Sequence, residues 1–541
     1  MQGFLPRIGA MTETGAAFFD GISNLAGWRR AAAALFAGAI GALAMAPVYA
    51  LPLLPVSLSV LVLMIDGAVE RPHPRRSAFW IGWLWGVGYF LIGVYWMSFS
   101  FFVQADQFAA LAPLAIFGMP AGLGLFTGAA ALSATLCWRP GWPRIFAFAG
   151  VFAVFEYLRG HILTGLPWNL VGQSLAGSAV GTQTAAWWGA YGLSLIVIFL
   201  CAAPAAGMGA KGERKHGLSG FFVLAAGTAL IFGVGAIRLL DVGDEASPSA
   251  YVRIVQPNIE QRDKINPDKW GDNFYRALDL SKDRAPADAP LFIIWPENAA
   301  PLLNEADAAL DVLRRDLPQE SVLVSGAVRR ERSPSRTDLY FNSVMVLDLR
   351  GRETSPAKFY DKHHLVPFGE YMPFYDLIQS IGLSQLTPYG DAGFTPGDGP
   401  RTLTVQGSSF APLICYEAIF PQALYPRGER PEWLLTVTND AWFGDTSGPR
   451  QHLDQARLRS IETGLPMARS ANTGVSALID GKGRILERLK LYSAGKIEAP
   501  LPRALPSTLY ERAGDWLFCM MTLAFLAAAR FGFQPGAREP D

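Results

Sequence analysis

Cysteine is almost missing from this chain: 541 residues carry four, Cys137, Cys201, Cys415 and Cys519. Four scattered thiols give no disulfide framework, and no Cys/His spacing fits a zinc site. Charge is scarce as well. Asp, Glu, Lys and Arg make up 17% of the residues, against a usual share of about 25%. Lys plus Arg number 46, as do Asp plus Glu, so the formal net charge is zero. That excludes a global field favouring nucleic acid. Internal repeats and low-complexity tracts are lacking too. The N-terminal stretch has no short apolar core before a small-residue cleavage site. The sequence therefore predicts no cleavable signal peptide and leaves export to the first apolar span.

What fills the chain instead is apolar residues, 51% of the total, concentrated before residue 240 and again after 513. Runs nearly free of charge cover residues 31–49, 51–68, 78–103, 108–138, 145–158, 183–208, 217–237 and 514–529. A spanning helix needs roughly 17–25 apolar residues, so the runs predict eight transmembrane helices. Arg29 and Arg30 precede the first; Arg71, Arg75, Arg76, Arg139, Arg144, Lys211, Arg214 and Lys215 occupy alternate loops. The intervening loops at 48–51, 104–107 and 159–182 carry only Arg159. Lys and Arg stay on the cytoplasmic side, which puts the N-terminus, Arg530 and Arg538 inside. The expected organisation is a seven-helix membrane domain over 1–240, an extracytoplasmic polar domain over 241–512, and a last span with its tail over 513–541.

On this topology Cys137, Cys201 and Cys519 lie in spans, and Cys415 is the single cysteine of the exported domain. Exported domains normally pair their cysteines; this one has no partner there. A buried cysteine acting as a small hydrophobe is the ordinary alternative. Within the exported domain, strand-like runs at Tyr251–Gln256, Leu291–Trp295, Val322–Val328, Val344–Leu349, Ala411–Cys415 and Trp433–Val437 alternate with helical candidates at 268–282, 304–315 and 449–462. Apolar strands separated by helices predict an α/β fold of helix-covered sheets.

Three segments carry reactive groups. LFIIWPEN puts Glu297 where a strand breaks at Pro296, KFYDKHHLVPFGEYMP holds Lys362 and Glu370, and APLICYEAIF puts Cys415 at a strand end. Functional groups of α/β sheets collect beyond the carboxyl ends of strands. A thiol attacks only as thiolate and needs a base or a cation nearby. A carboxylate can take its proton. An ammonium, with the backbone N–H of Tyr416, can hold an oxyanion. Taken singly, a Glu after Trp-Pro is also an ordinary turn residue and a loop Lys an ordinary solvated one.

Together WPEN, KHHLVPFGE and ICYE resemble, in that order, the Glu–Lys–Cys elements of the nitrilase superfamily. LVPFGEYMP, TNDAWFG (Thr438–Gly444) and LTGLPWNLVGQS (Leu163–Ser174), with a domain of this kind set between membrane spans, narrow the resemblance to the apolipoprotein N-acyltransferase family over nearly the whole chain. The resemblance implies a four-layer α-β-β-α sandwich inserted into an eight-helix transmembrane bundle of a bacterial inner membrane, facing the periplasm. It implies Cys415 as nucleophile, Glu297 as general base and Lys362 as oxyanion-stabilising cation. Glu370 would hold Lys362, Tyr416 and Glu417 match the family's Tyr-Glu pair, and Trp270 matches a tryptophan at the substrate entrance. Lys358 is the rival lysine, but Lys362 has the spacing to HLVPFGE. His363 and His364 offer a minor alternative, metal ligation or a Cys-His pair, against which stands the lack of any Cys/His spacing that fits a zinc site. The implied partners are a phospholipid acyl donor and a diacylglyceryl-apolipoprotein acceptor, with no cofactor, metal or nucleic acid. Trp442 and Phe443 are candidates for shielding an acyl-enzyme from water, or plain core residues under a loop.

Two rivals remain. A membrane-tethered nitrilase-type amidase would use the same triad with water as acceptor. A transporter would place ionisable groups within its spans, whereas Glu156 and Arg238 lie near span ends. The topology is testable directly. A membrane-impermeant thiol label should reach cysteines introduced within 241–512 and miss one introduced within 209–216; labelling of the latter from outside would reverse the orientation.

Overall fold

A computed structural model of the chain describes residues 19–208, 218–240, 250–284, 290–299, 307–332, 338–350, 357–373, 375, 380 and 393–531. Lys211, Arg214, Lys215, Arg538, the boundary near 241 and the start of the 304–315 helical candidate lie outside these residues. The chain divides into two compact units, one of residues 1–98, 110–241 and 509–541, the other of 99–109 and 242–508.

The first unit is helical: α1 (Gly27–Ala42), α2 (Leu53–Val69), α3 (Pro74–Gly93), α4 (Met119–Ala134), α5 (Trp142–Arg159), α6 (Ala185–Ala202), α7 (Ser219–Leu240) and a C-terminal helix, Trp516–Phe531. Proline opens α3, α4 and α5, where a missing N–H costs no hydrogen bond. Among the described residues, Ala109–Cys137, Ala185–Gly207 and Ser219–Leu240 are long and apolar enough to cross a bilayer. Leu53–Val69 and Trp516–Phe531 are apolar but shorter. The run 78–103 is not one straight span. Val94 leaves helical geometry where the Asn169 side chain fills the space beside Gly93, and the chain continues as Tyr95–Phe102, bent by 51°.

Close helix packing explains the small residues. A Cβ on Gly82 would sit 2.6 Å from the Thr127 carbonyl oxygen of α4, and one on Gly86 would strike the Thr127 hydroxyl. In lipid such close approach, rather than water exclusion, holds helices together. Two buried charged residues have clear partners. Glu156 accepts the Val171 N–H at 2.9 Å and the Ser194 hydroxyl. Arg159 donates to the Leu166 and Trp168 carbonyls at 2.6 and 2.7 Å. Both thereby pin the 163–174 segment, a structural use rather than a transport path.

The second unit is built on two mixed six-stranded sheets, ordered β12-β1-β2-β3-β4-β5 and β11-β10-β9-β8-β7-β6. The first contains β1 (Tyr251–Gln256), β2 (Leu291–Trp295), β3 (Val322–Glu331), β4 (Leu339–Asp348), β5 (Lys358–Asp361) and β12 (Gly495–Pro500). The second contains β6 (Leu403–Val405), β7 (Ser408–Ile414), β8 (Trp433–Thr438), β9 (Met467–Ala471), β10 (Ala477–Ile479) and β11 (Ile485–Arg488). Strands β1 to β3 run parallel, as do β7 to β9.

Alternation along the strands decides which core each side chain enters. Phe292 and Ile294 join Phe410, Ile414, Trp433 and Leu435 in one cluster drawn from both sheets. The Phe292 ring lies 6.1 Å from Phe410 and 5.5 Å from Trp433. Their neighbours Leu291, Ile293 and Trp295 enter a second cluster with residues of α8 (Trp270–Asp279) and α9 (Asp307–Asp316). On the other sheet Leu413, Leu434 and Met467 meet Leu453 and Ala456 of α10 (Gly448–Thr463). Strands buried on both faces read as unbroken apolar runs, which is why β1, β2 and β8 stand where the sequence predicts strands. Strand β4 begins at Leu339 rather than Val344 because the buried polar pair Asn342 and Ser343 belongs to it.

Candidate active site

Strand β2 of one sheet and the parallel strands β7 and β8 of the other are each followed closely by a candidate residue. Glu297 comes two positions after β2, Cys415 directly after β7, and Asp440 two positions after β8; Lys362 directly follows β5. Proline at 296 supplies no N–H to extend the β2 ladder, and Asn298 turns the chain with φ +48°. Lys362 still donates its backbone N–H to the Asn342 carbonyl at 2.8 Å, so its side chain starts from a fixed ladder position.

Lys362 is 1% exposed. Its Nζ lies 2.8 Å from Glu370 Oε2 and 2.9 Å from Oε1, and 3.9 Å from Glu297 Oε1. Burial pulls the ammonium pKa down, but Glu370, then Glu297 and Cys415, outweigh it and leave the group above the ordinary lysine value. Lys362 therefore stays charged. The Asn342 amide donates to both carboxylates, at 2.8 Å to Glu297 and 2.7 Å to Glu370, and the Val366 N–H donates to Glu370 at 2.8 Å.

Cys415 opens the Cys415–Ile419 turn with φ +51°, a left-handed conformation that costs a non-glycine residue of order 1–3 kcal/mol and persists only where surroundings hold it. Burial pushes its thiol pKa up, Glu297 adds to the rise, and Lys362 and Thr438 act against it. The resting sulfur is thus a protonated thiol that must lose its proton on demand to react.

Glu417 anchors the turn. Its carboxylate accepts the Tyr360 hydroxyl at 2.9 Å and the backbone N–H groups of Ile414, His363 and His364 at 2.8, 2.9 and 3.2 Å. One carboxylate so ties the Lys362 segment to the Cys415 strand. Burial acts to raise Glu417, but bonding to His363 and Ile414 outweighs it, and the carboxyl sits below its ordinary range. His363 Nδ1 lies 2.8 Å from Tyr360 and from Glu417, and His364 stacks on Phe420 at 3.8 Å.

Of the remaining sequence candidates, Tyr416 is buried, and burial raises its phenol above the ordinary value. Trp270 donates from Nε1 to the Lys264 carbonyl at 3.2 Å. Trp442 and Phe443 sit in the turn after β8, and the Phe443 ring meets His452 edge-on at 6.3 Å. Lys358 turns away to the Thr404 carbonyl at 2.8 Å.

Sequence reasoning missed Asn342, Lys264 and His452. A lone amide inside the apolar strand run FNSVMVL was the available signal for Asn342. Lys264 gave none, being one more charge in EQRDK, yet its Nζ donates to the Glu297 carbonyl. Burial lowers its ammonium to about 8 against the opposing pull of Glu297 and Cys415. His452 lies in GPRQHLDQARLRS, a helix without an apolar stripe that is nonetheless almost wholly buried.

Two family models match this chain: the apolipoprotein N-acyltransferase N-terminal domain over residues 37–203 and carbon–nitrogen hydrolase over residues 251–506. Among curated relatives, the apolipoprotein N-acyltransferase of Allorhizobium ampelinum is 40% identical over 524 residues, covering 94% of this chain and 98% of its own. The namesakes from Bradyrhizobium diazoefficiens and Brucella melitensis are each 41% identical over 521 residues, covering 93% and 94% of this chain and 95% and 96% of theirs. A solved carbon–nitrogen hydrolase superfamily protein of Xanthomonas campestris is 17% identical with a TM-score of 0.31, over 50% of this chain and 96% of its own.

Two measurements probe this geometry. A Cβ on Gly326 would sit 2.5 Å from the Glu297 Cα and the Pro296 carbonyl oxygen. Gly326→Ala should cost about 1–3 kcal/mol in thermal unfolding and slow alkylation of Cys415, because Glu297 is pushed from its position; unchanged values for both would refute the packing. The second concerns Asp440. Burial acts to raise its carboxyl, but Arg469 and His452 hold it down, from 3.8 to about 2. A carboxyl depressed in the folded state stabilises above the unfolded pKa and loses that share as pH falls through the folded one. Roughly 2 kcal/mol should therefore be complete above pH 4 and vanish toward pH 2. Asp440→Asn should flatten that part of the acid-unfolding curve, and an unaltered curve would contradict it.

Proposed function

This chain belongs to the apolipoprotein N-acyltransferase family, and on that premise we propose that it moves an acyl chain from a membrane phospholipid to the α-amino group of a diacylglyceryl-cysteine at a lipoprotein N-terminus. The polar unit has a nitrilase-like carbon–nitrogen hydrolase fold with two mixed sheets. The observation that carries the mechanism is the gathering of Glu370 and Glu297 within 3.9 Å of the Lys362 ammonium, with Glu297 and Lys362 near enough to act on the Cys415 thiol.

In the first half-reaction Glu297 takes the Cys415 proton and the sulfur attacks the ester carbonyl carbon. Negative charge on the former carbonyl oxygen is held by Lys362 Nζ and the Tyr416 N–H, groups worth most when fixed and shielded from water. Collapse breaks the ester bond. Glu297 returns the proton to the departing lysophospholipid oxygen, and a thioester remains on Cys415. In the second half-reaction the lipoprotein amine attacks that thioester, Glu297 receives the amine proton, and the thiol is regenerated as the amide forms. Splitting one acyl transfer into two easier steps is the benefit of the covalent route. Glu370 and Asn342 keep Lys362 and Glu297 apart and oriented, and Glu417 holds the Cys415 turn to the Lys362 segment. We assign Trp270, Trp442 and Phe443 to the lipid-binding side of the pocket.

The wider organisation follows the same reading: a seven-helix membrane domain over 1–240, a catalytic domain over 241–512 facing the periplasm, and a final inner-membrane span within 513–541. The three clusters on and between the sheets support a four-layer sandwich. Among the described residues, three helices long and apolar enough to cross a bilayer, with the shorter apolar Leu53–Val69 and Trp516–Phe531, support the membrane bundle, for which the apolar runs of the sequence give eight spans.

Single-turnover mass spectrometry of the full-length protein with phospholipid tests this. An acyl group should appear on Cys415, persist without acceptor, and discharge onto a diacylglyceryl-cysteine peptide but not onto its N-acetylated form. Glu297→Gln should slow acylation on the order of a hundredfold or more, and Lys362→Arg should fail because its charge is displaced from the oxyanion. Rapid release of free fatty acid regardless of the peptide would make the enzyme a membrane-tethered hydrolase.

A further inference from the structure

Behind the nucleophile lies a buried charged cluster that the reaction above leaves without a task. Asp440 and Arg469 are fully buried and His452 is 1% exposed. Asp440 accepts the Thr438 hydroxyl at 2.9 Å and Arg469 Nη2 at 2.9 Å. His452 Nδ1 lies 2.9 Å from Asp440 Oδ1 and 3.2 Å from Arg469 Nη2, while its Nε2 meets the Cys415 carbonyl oxygen at 3.1 Å. Burying charge in this way is costly even when paired. The chain of contacts ends on the main chain of the nucleophile.

A carbonyl oxygen only accepts, so Nε2 carries a hydrogen and donates it to Cys415. This holds whether Nδ1 donates to Asp440 or accepts from Arg469. The peptide unit is planar and trans, so the Cys415 carbonyl and the Tyr416 N–H point in opposite directions within one plane. Whatever fixes the carbonyl fixes the N–H. The left-handed φ of Cys415 makes such fixing necessary, because nothing local favours that conformation for an L residue.

We propose that the Arg469–Asp440–His452 chain aims the Tyr416 N–H at the developing oxyanion, which makes His452 a positioning residue acting through the Cys415 carbonyl. The proposal rests on Cys415 being the acylated nucleophile. It also gives Asp440 of the TNDAWFG stretch and His452 a shared purpose, since they come together from the end of β8 and the start of α10.

Two reactions at the same sulfur test it in the full-length protein. Acylation passes through an oxyanion, whereas alkylation by iodoacetamide displaces iodide at a saturated carbon and builds none. His452→Met fills the same space without a donor. It should lower kcat for Cys415 acylation on the order of a hundredfold, with KM and the alkylation rate unchanged. His452→Gln, whose amide can donate to the same carbonyl, should recover most of kcat. Unchanged acylation in His452→Met, or parallel loss of acylation and alkylation, would overturn the proposal. Should that variant not fold, Asp440→Asn, which loosens the imidazole without emptying its space, is read by the same two rates. Cys415→Ala separates the underlying reading: if it still transfers acyl chains, the nucleophile is another group, whatever the His452 variants do.

Discussion

Everything in the pocket depends on keeping one lysine charged where there is almost no water. An ammonium taken into a protein interior loses its proton unless negative charge surrounds it. Lys362 meets that condition through Glu370 at 2.8 Å and Glu297 at 3.9 Å. The unequal distances matter. The near carboxylate holds the cation, and the far one accepts an Asn342 hydrogen bond at 2.8 Å. A second buried lysine, Lys264, rests on the Glu297 main chain, so the pocket combines two glutamates with two lysines before any substrate arrives. Moving a proton from Cys415 to Glu297 leaves that total unaltered, and a transfer that creates no net charge is the kind a low-dielectric site tolerates.

The pocket is also a problem in joining separate strands. Its groups come from both sheets, and an error of an ångström between them would cost much of the rate. Polar side chains solve this by spanning the gaps. Asn342 bridges two carboxylates, Glu417 joins the Lys362 segment to the Cys415 turn, and Gln261, Asn439 and Asn472 link the loop after β1 to those after β8 and β9 through bonds of 2.7 and 3.0 Å. Hydrogen-bonded networks of this kind rigidify.

How much of this the sequence disclosed follows from what sequence patterns record. Long apolar runs and strands buried on both faces are legible because burial is written in composition; Leu291–Trp295 begins and ends as the sequence predicts. The reactive residues were legible as a set because short motifs preserve chemistry and spacing. The short strands β5, β6 and β9 to β12 were not, since three to six residues carry too little period to detect. Nor were Asn342 and His452, whose partners are remote in the chain: Asn342 meets Glu297 and Glu370, and His452 meets Cys415. A buried polar residue shows its purpose only once folding has chosen its neighbours. The bend at Val94 was not legible either, and the Asn169 side chain beside Gly93 comes from far along the sequence.

The φ of +51° at Cys415 has a consequence for the history of such a protein. Glycine is the one residue that adopts this conformation without steric penalty, so a Cys415→Gly chain would relax the turn while giving up the side chain that packs against the sheet cluster. On the mechanism proposed above, backbone geometry and function pull this position in opposite directions, and demand for the product is what would keep a sulfur there.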